Sequence, residues 1–196
     1  LLLDTPMGLT LRDIPTWETR WTNPTSYAQV RFSPQDDALI ALSGYEVLRI
    51  DPTLNTVLST VEIPLNGGLS TLSPGGAWVA ETLGGDIQIW DASSGEPVAV
   101  LEVDASSGAV MDMAFSADGS RVIAGSDNGD LQAWDLRSGK RTLFRPAAIP
   151  SQIYQCEVQG NIAGQIPGSL LVICSYPAPD YLSTYYRVGI HRAADA

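Results

Sequence analysis

Hydrophobic and polar positions alternate along this chain in short runs, and the pattern is clearest in residues 108–143. Alternation with a period of two, interrupted by clusters of turn residues, is typical of β-strands. The Asn128-Gly129 pair also favours a tight type I′ hairpin, because both residues accept a positive φ. The segment therefore predicts a four-stranded antiparallel meander, whose strands are Val110–Phe115, Val122–Ala124, Asp130–Trp134 and Lys140–Leu143.

Two sets of marker residues recur with nearly the same spacing. The serines lie 40 and 43 residues apart and the aspartates 40 and 44 apart, so the two sets keep step along the chain. Such a period is typical of a repeat protein in which each repeat forms one small antiparallel sheet. The markers are Ser33, Ser73 and Ser116, and Asp51, Asp91 and Asp135.

Four residues after each repeat aspartate stand Asn55, Gly95 and Gly139. Asparagine is enriched several-fold among the non-glycine residues of the left-handed region. The column therefore predicts a positive φ at all three positions.

Residues 115–119, Phe-Ser-Ala-Asp-Gly, resemble the first turn of a WD repeat, and Trp134-Asp135 resembles the dipeptide that names this family. The resemblance covers about Tyr27 to Leu143, and it implies a β-propeller of four-stranded antiparallel blades. The family's Gly-His pair is absent, since His191 is the only histidine. A β-sandwich is the structural alternative, but it leaves the repeat unexplained.

The repeat divides the chain into a single all-β domain with about four and a half blades. The ends are irregular: Leu9–Asp13 and Trp17–Thr22 predict the third and fourth strands of a blade that is already under way, and the last blade lacks a fourth strand. We expect an arc of a larger ring, completed by missing sequence or by another copy of the chain. Since the first residue is Leu1, we also expect a processed, trimmed or partial chain. The predicted units are a partial blade at 1–26, blades at 27–66, 67–107 and 108–147, and an irregular last blade at 148–196.

Charge and hydropathy limit the classes of partner that the chain is expected to bind. The 22 acidic residues outnumber the 11 basic ones, and the resulting net charge of −11 repels nucleic acid and anionic lipid surfaces. No apolar run reaches the roughly 18 residues of a membrane-spanning helix. We therefore expect protein partners and no transmembrane segment.

Motifs for nucleophilic hydrolysis, phosphate binding and zinc binding are absent, so we predict no cofactor and no catalytic residue. Residues 127–130, Asp-Asn-Gly-Asp, lack the spacing of a calcium loop and are interpreted as a hairpin turn. Asp36-Asp37 is interpreted as a solvated turn, and His191 as a surface or structural residue.

The family resemblance favours a non-catalytic platform that assembles other proteins. The alternative is a propeller enzyme, or a metal or small-ligand binder, with its site at the ring centre. Asp112 is the one candidate for such a site, because it is the only acidic residue in the middle of a predicted innermost strand. The two hypotheses differ in whether added metal or small molecule raises the melting temperature.

Cys156 and Cys174 are the only cysteines, and they lie on two predicted neighbouring strands at equal distances from the hairpin midpoint. Antiparallel partners at that position are close enough for a disulfide, which would indicate an oxidising, extracytoplasmic compartment. Two reduced, buried cysteines in a cytoplasmic protein are the other interpretation.

Four of the seven tyrosines surround the proline-containing loop at 177–180. Tyrosine is enriched at protein interfaces, and prolines reduce the entropy that a loop loses on docking. The loop is therefore a candidate partner-binding site, or alternatively a cover over the apolar edge of the last blade. The tyrosines are Tyr176, Tyr181, Tyr185 and Tyr186.

Overall fold

β-branched and aromatic residues alternate with glycine and aspartate turns, and every helix or strand element in the part of the chain that the structure describes is a strand. A computed structural model describes residues 2–5, 8–13, 16–33, 38–116, 118–128, 130–144, 155–159, 169–177 and 184–192; for residues 2–5, for 144 and for the three last ranges it describes the backbone alone. Over these ranges there is no helix long and apolar enough to span a membrane.

The described residues form five antiparallel sheets, which follow one another along the chain. The first contains β1 (Leu2–Thr5), β2 (Gly8–Arg12) and β3 (Thr19–Asn23), and the second β4 (Gln29–Phe32), β5 (Leu39–Ser43), β6 (Glu46–Asp51) and β7 (Thr56–Glu62). The third contains β8 (Ser70–Leu72), β9 (Trp78–Leu83), β10 (Asp86–Asp91) and β11 (Pro97–Leu101). The fourth contains β12 (Val110–Phe115), β13 (Arg121–Ser126), β14 (Leu131–Asp135) and β15 (Arg141–Phe144), and the fifth β16 (Gln155–Gln159), β17 (Ser169–Pro177) and β18 (Thr184–Arg192).

Within each sheet every strand pairs with the next strand of the chain, which confirms the predicted all-β meanders. The three central sheets have four strands each, and the first and last have three. Several strand ends differ from the prediction by one or two residues. The difference that moves a large side chain is in the first sheet, where the outer strand begins at Thr19, so Trp17 lies outside it, 56% exposed and with a φ of 60°.

The core lies between the sheets. Leu39 and Ala41 of β5 pack toward the first sheet, whereas Ile40 and Leu42 pack toward the third. Because alternate residues of a strand point to opposite faces, this places an apolar layer on both sides of the second sheet. A third layer, around Trp134, joins the third and fourth sheets. The first four sheets are therefore stacked face to face, with an apolar layer between each pair of neighbours.

The first strands of neighbouring sheets approach each other, since β12 lies beside both β8 and β16. The fourth strands β7, β11 and β15 end their sheets on the opposite side. Each sheet thus has an inner and an outer edge. In the first three sheets the outer strand carries a β-bulge, whose extra residue is Arg20, Leu58 or Val98.

The turn before each outer strand of the three central sheets has one geometry. At Asn55, Gly95 and Gly139 the backbone N–H donates to the carbonyl of the repeat aspartate four residues earlier, at a distance of 2.8 Å in each case. Their φ values are 52°, 76° and 69°, which confirms the positive φ predicted for this column.

The carboxylates of the repeat aspartates hold the same turns. Asp91 Oδ1 accepts hydrogen bonds from the Ser93 hydroxyl at 2.6 Å and the Ser93 N–H at 2.8 Å, and these bonds lower the pKa of Asp91. Asp135 Oδ1 accepts the Ser138 N–H and hydroxyl, each at 2.8 Å, which lowers its pKa in the same way.

The hairpin between β13 and β14 departs from the predicted type I′ geometry. Asn128 is not among the described non-glycine residues with a positive φ. Its side chain holds the turn instead, because Oδ1 accepts the Asp130 N–H at 3.0 Å and Nδ2 donates to the Ser106 carbonyl at 3.2 Å.

The loop after β11 has no histidine, and side chains of the fourth sheet anchor it. Trp134 Nε1 donates to the Glu102 carbonyl at 3.2 Å, and Gln132 Oε1 accepts the Asp104 N–H at 2.9 Å. Arg141 adds an ion pair with Asp104 at 3.3 Å. These bonds tie the end of the third sheet to the fourth.

Candidate functional site

A cleft of about 740 Å³ lies at one end of the second sheet. One wall is the turn between β5 and β6, and the other is the end of β7 with the segment that follows it. The cleft combines an exposed aromatic ring, two carboxylates and aliphatic groups. Its lining residues are Ser43, Gly44, Tyr45, Glu46, Glu62, Ile63, Pro64 and Leu65.

The β5–β6 turn exposes Tyr45. Gly44 has a φ of 58° at the first central position, which is the position that favours glycine in a type II′ hairpin. Tyr45 follows it and is 60% exposed, while its carbonyl accepts the Ile63 N–H at 2.7 Å. The backbone of Tyr45 is thus fixed to the opposite wall, and its ring remains open to solvent.

Glu46 and Glu62 are paired directly across β6 and β7. They form a non-hydrogen-bonded pair, because the adjacent Tyr45–Ile63 pair carries the backbone bond, and side chains in such pairs are the closer ones. Like charges in this position destabilise a sheet. Neither carboxylate has an ion-pair partner within the part of the chain that the structure describes.

A buried carboxylate fixes the segment beyond the cleft. Glu81 is fully buried, and its Oε1 accepts the Asn66 N–H at 2.5 Å and the Gly68 N–H at 3.3 Å. Thr82 Oγ1 accepts the Leu69 N–H at 2.9 Å. The segment from β7 to β8 is therefore anchored to the third sheet, which makes this wall of the cleft a preformed surface.

The predicted tyrosine site lies in the fifth sheet. Tyr176 is on β17 and pairs in register with Tyr185 of β18, and Tyr186 is the next residue of β18. Tyr181 lies outside the described residues. The hairpin thus brings three of the four tyrosine backbones together, and their role in binding stays a prediction.

The two cysteines occupy directly opposite positions, Cys156 on β16 and Cys174 on β17. This register is the one inferred from the hairpin symmetry. Their redox state stays a prediction, and so does the compartment that depends on it.

Asp112 is half-buried on β12, the inner strand of the fourth sheet, and His191 is on β18. Asp36-Asp37 lies outside the described residues. No group of three or more histidine, cysteine, aspartate or glutamate side chains within the described ranges is arranged to hold a metal ion.

Sequence reasoning did not single out Tyr45, Glu46 or Glu62. Symmetry about the β6–β7 turn, where Asp51 pairs with Thr56, would place Glu46 opposite Val61. The bulge at Leu58 shifts the register and brings Glu62 opposite Glu46, so the sequence pattern alone did not indicate this pair. The exposure of Tyr45 depends on the conformation of the β5–β6 turn, which the pattern of polar and apolar residues does not indicate.

The comparisons with known proteins support the architecture. Among solved structures, Hsv2 of Kluyveromyces lactis, a β-propeller, matches with a TM-score of 0.58 and 14% identity, over 96% of this chain and 68% of that chain. No protein-family model matches the chain, and no curated protein matches it. The chain therefore has a propeller fold, and at this identity the likeness extends to the fold alone.

Proposed function

We propose that the chain is a non-catalytic protein-interaction module of the WD-repeat type, which serves a larger protein or complex. The propeller fold supplies a rigid platform, and the repeat turns at Asn55, Gly95 and Gly139 support the WD-repeat assignment. The cleft beside Tyr45 carries the proposal: an exposed aromatic ring next to two unpaired carboxylates suits a basic segment of a protein partner.

The tyrosine hairpin of the fifth sheet is proposed as a second contact region, and self-association or further sequence would complete the ring. We also propose that the compartment follows the cysteines: extracytoplasmic if Cys156 and Cys174 form a disulfide, and cytoplasmic otherwise. Counting free thiols in the denatured, unreduced protein decides between these two.

Site-specific photocrosslinking tests the function. A benzophenone side chain placed at position 45 should capture protein partners, whereas the same group at Leu54, which is 69% exposed at the other end of the β6–β7 hairpin, should not. Capture at position 45 should fall when Glu62→Lys reverses the local charge. Equal capture at both positions, or capture that ignores Glu62→Lys, would contradict the proposal.

A melting-temperature screen with calcium, magnesium, zinc and a metabolite panel tests the alternative at the ring centre. Selective binding to the folded state must raise the melting temperature. A rise that Asp112→Asn abolishes would replace the interaction module with a ligand-binding function.

A further inference from the structure

The outer strand of the second sheet, β7, differs from the other outer strands. It is the longest outer strand of the first four sheets, with seven residues, and residues 56–61 read Thr-Val-Leu-Ser-Thr-Val, without charge, proline or glycine. The outer strands of the first and fourth sheets contain arginine, and β11 begins with Pro97. Charges and prolines protect an edge strand from pairing with other chains, and β7 lacks them until Glu62.

The edge of β7 is open to solvent. Residues 56–60 are exposed, and Val57 and Leu58 retain 52% and 55% of their exposed surface. No strand in the part of the chain that the structure describes pairs with the outer side of β7. A free edge of this composition has both the backbone groups and the side chains that an added strand needs.

The register identifies the outward-facing backbone groups. Because Ile63 donates its N–H to Tyr45, the alternation of an antiparallel ladder turns the N–H and C=O groups of Glu62 and Thr60 away from β6. The Glu62 carbonyl packs against Gly95 of the third sheet, so an extended segment lying along β7 would pair with both backbone groups of Thr60 and with the N–H of Glu62. Its end beside Glu62 would then reach the cleft that contains Tyr45 and Glu46.

Charge complementarity specifies the occupant. At the cleft end of β7 the opposed carboxylates of Glu46 and Glu62 repel each other, and a cation between them would relieve that repulsion. Arg49, the basic residue of β6, lies on the other face of the strand from Glu46 by simple alternation. A second copy of this chain is disfavoured as the occupant, because its net charge is −11.

We propose that β7 binds an extended segment of another protein by β-strand addition, and that basic side chains at one end of this segment contact Glu46 and Glu62. The inference rests on the proposed interaction function and gives its partner a chemical class. The backbone pairing provides a general attachment, and the carboxylate pair selects a basic sequence.

Designed peptides test the inference on the full chain. One peptide has alternating valine and threonine with two arginines at one end, and its matched control has two glutamates in their place. We expect the basic peptide to slow hydrogen exchange at the Thr60 and Glu62 amides and to bind at least about tenfold more tightly than the control. No protection by either peptide at millimolar concentration, or equal binding of both, would overturn the proposal.

Two variants separate strand pairing from other contacts. Thr60→Pro removes an outward N–H and should abolish peptide binding, whereas Val100→Pro, at the equivalent position of β11, should leave it intact. The melting temperature and circular dichroism establish that both variants are folded. Retention of binding in folded Thr60→Pro would contradict strand addition.

Charge reversal provides a measurement that does not depend on proline. The double variant Glu46→Lys/Glu62→Lys should prefer the acidic peptide, and an unchanged preference for the basic one would refute the role of the carboxylates. Sedimentation of the unliganded chain tests the other occupant, since a dimer that Thr60→Pro dissolves would assign β7 to self-association. If crosslinking at position 45 persists while these tests fail, the interaction function stands and strand addition does not.

Discussion

The outer strands β7 and β11 occupy the same place in neighbouring sheets, with the same bulge and the same preceding turn, yet their ends are held differently. At the end of β11, the Glu102 carbonyl accepts Trp134 Nε1 at 3.2 Å and Arg141 Nη1 at 3.1 Å. The equivalent carbonyl of Glu62 closely approaches the Gly95 backbone.

The repeat therefore forms two junctions at equivalent positions, which differ in the groups that contact the last carbonyl of the outer strand. One is closed by side chains of the next sheet, and the other by a backbone contact at Glu62, before which residues 56–60 of β7 are exposed. Positions where the copies agree support the architecture, and the position where they diverge is where a partner-binding surface can develop.

The largest expected change in the free energy of unfolding concerns the tryptophans on β10 and β14, the third strands of their sheets. Trp90 and Trp134 are both buried, but the indole N–H of Trp90 has no hydrogen-bond partner within the described residues. Trp134→Phe loses a hydrogen bond, whereas Trp90→Phe removes an unsatisfied donor. Urea unfolding should show that Trp134→Phe lowers the free energy of unfolding by about 1–3 kcal/mol more than Trp90→Phe. Equal losses would mean that the two junctions do not differ in this bond.

The next effect concerns the turn before each outer strand. Gly95→Ala and Gly139→Ala impose the same backbone strain, of about 1–2 kcal/mol, because both residues have a positive φ. A Cβ on Gly95 would also collide with the Glu62 carbonyl, whereas one on Gly139 meets open space. Gly95→Ala should therefore be the more destabilising, by about 1–3 kcal/mol. Equal destabilisation in thermal melts would show that the second and third sheets separate easily.

Much of this architecture could be predicted from the sequence, because the repeat imposes the same local geometry several times. The aspartate spacing and the Asn55 position predicted a backbone conformation that the structure confirms. The cleft was missed because it depends on which side chains of two strands remain exposed at the end of a stack. Trp17 was misplaced because alternation alone does not show where a strand begins.

Acid should weaken the third and fourth sheets, where hydrogen bonds lower the pKa values of three aspartates. The hydroxyl of Ser116 lowers the pKa of Asp118, and serine donors act in the same way on Asp91 and Asp135. A depressed folded-state pKa contributes stability that is complete above the unfolded value of about 3.8 and is lost as the pH falls through the folded value. The protection of the amides in these turns, relative to their intrinsic exchange rate, should therefore fall below pH 3.8. Asp118→Asn should reduce this pH dependence, and an unchanged dependence would contradict the assignment.

The smallest effect is a gain in stability at the cleft. Glu46→Gln keeps the shape of the side chain but removes its repulsion with Glu62, so the free energy of unfolding should rise by about 0.2–1 kcal/mol. Glu96→Gln, an exposed glutamate in the turn before β11, is the matched control and should have almost no effect. Added salt should shrink the difference, because the screening length is only about 10 Å at 0.1 M. A loss of stability in Glu46→Gln would mean that the carboxylate is already satisfied within the chain, and the cleft would then have no unmet charge to offer a basic partner.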